Sequence, residues 1–153
     1  MVSVSPRTGG RYRKGYMMPD TEYELVRGAL ASGVDSVDRL ERFADETQTV
    51  DDCEHFGIDA DDDDGLYNYG AALDAAALEI VTMTETAWGY DTPAVVGVRV
   101  VFGTGGPHVE ATYRHNGVAT VNAYWGGQSA EQTMYAPETC RTLIDIAEEG
   151  LSL

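Results

Sequence analysis

Near residue 78 the spacing of apolar residues changes period, and this change restricts the fold of the 153-residue chain more than any other feature. Upstream, Tyr23, Val26 and Leu30 recur every three or four positions. So do Val34, Val37, Leu40 and Ala44, and then Leu66, Tyr69, Leu73, Ala76 and Ile80, as the buried face of a helix requires. Downstream, "EIVTMTET" and "AVVGVRVVF" are rich in β-branched residues, and Val96, Val98, Val100 and Phe102 alternate. Helices followed by a run of strands predict an α+β fold. We expect an antiparallel sheet of four to five strands, with N-terminal helices and a C-terminal helix packed on one face.

Local signals set the expected boundaries. Asp20 reads as the N-cap of a first helix that Gly33 closes, and a second helix is expected from about Asp35 to Glu46. A third should span residues 66 to 77. The last helix has Pro137 in its first turn, a stripe of Cys140, Leu143, Ile144 and Ala147, and Gly150 as its stop. A short strand near Glu131 to Met134 completes the sheet.

The hairpin around Asn116 and Gly117 can be read to the residue. A two-residue turn would pair Tyr113 with Thr120 and Ala111 with Asn122, mixing polar and apolar side chains on both faces. A three-residue loop of His115, Asn116 and Gly117 instead sets Val109, Ala111 and Tyr113 against Ala123, Val121 and Ala119. Glu110 and Thr112 then meet Asn122 and Thr120, giving one dry face and one wet face. Gly117 supplies the left-handed residue that such a loop needs.

Charge divides the chain. Arg7, Arg11, Arg13 and Lys14 give residues 1–18 a charge of +4 without an acid, so the rest carries −20 of the total −16. Residues 1–18 are expected to be a flexible basic arm, and residues 19–153 a single acidic domain. Such a body repels nucleic acid and membrane surfaces and attracts basic protein surfaces. No secretory signal or apolar run long enough to span a membrane is present, and Cys53 and Cys140 lack redox or zinc spacing. The expectation is a cytoplasmic protein with reduced thiols.

Familiar chemical motifs fail in detail. With Gly65 at the sixth position of an EF-hand loop, Ala60 and Ala71 would occupy the first and twelfth, where carboxylates are required. His55, His108 and His115 do not combine with the cysteines into a zinc spacing. Cys140 lies on the buried stripe of the last helix, a poor place for a nucleophile. "GTGGPH" is followed by a strand instead of a helix, and Pro107 removes an amide donor, so it is a turn and not a phosphate cradle. No enzyme, cofactor or metal is expected.

"GTGGPHVEA", the hairpin, and "VNAYWGG" before a short strand and a final helix resemble a group of small proteins from bacteriophages and other mobile elements. The similarity covers residues 78–150, about half the chain, and rests on the Gly-Gly-Pro turn and the Trp-Gly pair. It implies a mobile-element origin and a small α+β body, and carries over no catalytic residue. Proteins of this size and charge from such sources resemble anti-CRISPR and anti-restriction inhibitors. The expected function is inhibition of a host defence nucleoprotein by binding its basic nucleic-acid-binding surface. The partner-binding residues expected are Asp35, Asp38, Glu41 and Asp45 on one helix, then Asp51, Asp52, Glu54, Asp59, Asp61, Asp62, Asp63 and Asp64. Between residues 35 and 64, thirteen acids and two arginines leave −11. The alternative is a non-enzymatic binding or structural module whose acidity, with one lysine against nine arginines, is adaptation to a high-salt cytosol.

Overall fold

The computed structural model describes residues 18–60, 65–89 and 92–151. Four helices and five strands follow in the order α1 (Met18–Ala44), α2 (Val50–Phe56), α3 (Gly65–Ala76), β1 (Glu79–Glu85), β2 (Ala94–Gly103), β3 (His108–Tyr113), β4 (Val118–Trp125), β5 (Gln128–Tyr135) and α4 (Pro137–Leu151). The strands form one antiparallel meander in sequence order. This is the α+β class expected from the change in period, with all five strands present.

The β3–β4 register matches the three-residue loop. Val109 pairs with Ala123, Ala111 with Val121, and Tyr113 with Ala119, while Glu110 and Thr112 face Asn122 and Thr120. Arg114 N–H donates to Val118 O and Gly117 N–H to Arg114 O, with Gly117 at φ 82°. Continuing across β2, Val98 and Val100 join the same dry face. Onto that face pack Val26 and Val37 of α1 and Cys140, Leu143 and Ile144 of α4. Both long helices therefore cover one side of the sheet.

Gly33 does not end a helix. The two helices expected on either side of it are one continuous α1 of 27 residues. A Cβ at Gly33 would lie 2.7 Å from a Val109 methyl and 2.9 Å from a Val121 methyl, so glycine here lets α1 lie close against β3 and β4. Asp20, read as the N-cap, stands inside the first turn of α1, which begins at Met18. The last strand is also longer than expected, covering eight residues.

The second half of α1 packs with α2 and α3. Leu40, Phe43, Cys53, Tyr69 and Ala72 form a second apolar cluster there, and Leu73 and Phe102 touch both clusters. Cys53 and Cys140 remain separate buried thiols. Among the described residues, no helix is long and apolar enough to cross a membrane.

Candidate partner-binding face

Between the helices expected to end at Glu46 and to begin at residue 66, the chain forms a further helix, α2, with strong local signals. Thr49 is its N-cap: Asp52 N–H donates to Thr49 Oγ1 at 3.1 Å, and Thr49 N–H donates to Asp52 Oδ2 at 2.9 Å. This reciprocal capping box satisfies donors that a helix start leaves unpaired. Gly57, at φ 71°, closes the other end, where Ile58 N–H donates to Cys53 O at 2.8 Å. The Thr-x-x-Asp spacing at 49–52 was the signal available for this helix in the sequence.

Asp52 is also the centre of a clamp between α1 and α2. Its side chain is 1% exposed. Arg42 grips it with two bonds, Nε to Oδ2 at 2.7 Å and Nη2 to Oδ1 at 2.8 Å. Arg39 Nη1 donates to Asp52 Oδ1 at 2.9 Å and to Asp51 Oδ2 at 3.0 Å, while Arg39 Nε donates to Asp35 at 2.7 Å. The Arg42 fork holds the Asp52 carboxyl well below its usual range, against the opposing effect of burial, with Thr49 N–H assisting. Bonds to Asp35 and Asp52 respectively raise the two guanidinium groups. Bidentate, charge-assisted pairs of this kind fix geometry as well as add energy.

Glu41 has an equally defined place. Its Oε2 accepts from Glu138 N–H at 3.0 Å, and its Oε1 accepts from Thr139 N–H at 2.9 Å and Thr139 Oγ1 at 2.8 Å. A carboxylate from α1 thus caps the N-terminus of α4, where the helix dipole favours negative charge. Glu41 and Asp52 are committed within the fold and position the acids around them.

Asp38 on α1, Asp45 just after it, Asp51 and Glu54 on α2, and Asp59 beyond α2 are exposed, and Asp35 is half exposed beside Arg39. Asp45 accepts from Thr47 N–H at 3.1 Å, which keeps it at the α1 terminus. Asp61, Asp62, Asp63 and Asp64 lie outside the described residues. Asp35 and Asp38 in the second half of α1 and Asp51 and Glu54 of α2 are thus carried on two helices joined by Arg39 and Arg42. Sequence reasoning had treated those arginines only as a subtraction from the charge. The Asp35 to Arg39 spacing of four was a readable sign of their pairing.

Elsewhere, Cys140 and His115 are engaged with backbone. Cys140 Sγ donates to Val118 O at 3.6 Å, and burial raises its thiol. His115 Nε2 lies 2.7 Å from Val95 O. On the wet sheet face, His108 Nε2 meets Glu110 Oε1 at 2.7 Å and its ring stacks on Tyr124.

No protein-family model matches the chain, and neither the curated proteins nor the solved structures contain a significant match.

Proposed function

We propose that this chain is an acidic binding module from a bacteriophage or other mobile element. It inhibits a host defence nucleoprotein, a CRISPR effector or restriction system, by occupying that protein's basic nucleic-acid-binding surface. The observation that carries this reading is the Asp52 clamp, which joins α1 and α2 through Arg39 and Arg42. Exposed carboxylates on a fixed frame lose little side-chain and backbone freedom when a partner docks, whereas the same charges on a floppy loop would lose much. Duplex DNA offers one negative charge per roughly 1.7 Å of axis, so a competitor for its groove needs this kind of density. Residues 35–64 carry −11 of the net −16.

The test captures partners from a host lysate on the immobilised protein and then adds duplex DNA. Proteins that bind the acidic face are released by DNA and by salt. A triple variant, Asp38→Asn with Asp45→Asn and Glu54→Gln, leaves the clamp intact and weakens capture by roughly tenfold or more. Retention by the triple variant equal to the parent, or partners that DNA never displaces, rejects the proposal.

A second reading, adaptation to a high-salt cytosol, draws on exposed acids that also occur away from this face. Asp74, Glu79, Glu85, Glu131, Asp145 and Glu149 are among them.

A further inference from the structure

A cavity of about 360 Å³ lies between the β3–β4 loop, the end of β5 and α4. That volume is at the lower end of the range for ligand pockets, about 300–1,000 Å³. Gly117 shapes one wall. A Cβ there would lie 3.0 Å from Tyr135 Cε1 and 3.4 Å from Pro137 Cβ, so the glycine lets the Tyr135 ring lie against the loop. Ala136 N–H donates to Gly117 O at 2.8 Å and ties the junction of β5 and α4 to the same loop. Tyr135 nonetheless remains 74% exposed while lining the cavity. His115 lines it too, with Nε2 2.7 Å from Val95 O. A carbonyl only accepts, so Nε2 carries the proton and the neutral ring keeps Nδ1 as an acceptor. Pro137 and Ile144 add apolar surface. Of the charged groups in the lining, Glu138 pairs with Arg141, and Asp145 and Glu148 bring two more carboxylates.

Acceptors, carboxylates and an open aromatic ring beside apolar surface select a ligand with donors and positive charge on an apolar stem. An anion would meet three acids and one arginine in the lining, within a chain of net charge −16. An arginine side chain meets each requirement. Its planar guanidinium has five donors and stacks on aromatic faces, and its methylenes cover apolar surface. We propose that this cavity binds an arginine side chain presented by a partner protein, with Tyr135 stacked on the guanidinium and Asp145 accepting from it. The site uses none of the acids of α1 and α2, and its occupancy does not depend on what those acids bind.

Titrating N-acetyl-arginine N-methylamide into the isotope-labelled full chain should give saturable amide shifts in the nuclear magnetic resonance spectrum at Asn116, Gly117 and Asp145. A single side chain should bind in the millimolar range. Tyr135→Ala should weaken binding by roughly two- to five-fold, the worth of an exposed cation–π contact. Asp145→Asn should weaken it by roughly two- to five-fold as well, and less at high salt. Both side chains are exposed, so the two variants should keep the parent's fold. The corresponding lysine amide should bind more weakly than the arginine probe, and the neutral norleucine amide should leave these resonances unmoved. Absence of saturable shifts with the arginine probe overturns the proposal. So does an equal response to the lysine or norleucine amide, or binding by both variants equal to the parent's.

Discussion

Asp52 shows how one carboxylate in a run of like letters acquires a different task from its neighbours. Replacing it by Asn keeps a side-chain acceptor for Thr49 N–H but removes the charge that two arginines share. Breaking a fully buried ion pair costs roughly 3–5 kcal/mol. Arg42 retains access to water, so Asp52→Asn should cost about 2–3 kcal/mol, measured by urea denaturation at pH 7. The pH dependence has a definite sign. Because the folded carboxyl titrates below its ordinary value of 3.8, its contribution is complete above that value. It is lost as pH falls and the unfolded chain takes up the proton first. The gap between parent and Asp52→Asn should therefore be constant above about pH 5 and narrow below about pH 4. A second residue-scale expectation concerns Glu46, whose φ of 63° is left-handed without being glycine. Thr47 N–H reaches Arg42 O at 2.8 Å around it, closing α1 as a glycine terminus would. Glu46→Gly should raise stability by about 0.5–1 kcal/mol, the relief of the left-handed strain less the added freedom of the unfolded chain. In sequence, the charge of Asp52 was plain but its burial was not. Charge alone does not say which of several adjacent carboxylates an arginine on the preceding helix will hold.

Among the elements, the β3–β4 hairpin was readable to the residue because only one register gives an unmixed dry face. The helix α1 was not, and Gly33 is the reason: a glycine between two helical stripes looks the same whether it ends a helix or lets one approach a sheet. Two substitutions separate these meanings. Gly28 has open space around its Cα, so Gly28→Ala should stabilise by about 0.5–1 kcal/mol, the usual helix-propensity gain. Gly33→Ala should instead destabilise by about 1–3 kcal/mol, since its methyl would overlap Val109 and Val121. Thermal melts of the two variants moving in opposite directions would establish the close approach. A Gly33→Ala melt shifted upward would mean that α1 can lift from the sheet at no cost. The helix α2 was missed for another reason. Seven residues with three acids lack an apolar stripe long enough to detect, and its identity rests on its caps.

For the molecule as a whole, the balance of charge makes salt the decisive variable. Self-repulsion in a body of this charge is largely screened once the Debye length falls to about 8–10 Å, near 0.1–0.15 M salt. If the proposed function holds and the acids serve a basic partner, the protein should gain melting temperature only up to a few tenths molar potassium chloride, as a rough bound from the same screening. A melting temperature that keeps climbing into molar salt would favour the high-salt reading. The packing of α1 has a further consequence for synthesis on the ribosome. The strands of the meander can join one after another as they emerge, but the apolar stripe of α1 has no sheet to rest on until β3, β4 and β5 exist, about ninety residues later. At about 5–20 residues per second, α1 waits roughly 5–20 seconds with that stripe uncovered. Trigger-factor-like chaperones that shield nascent apolar helices should therefore associate with this chain early and leave only after β5 has cleared the exit tunnel.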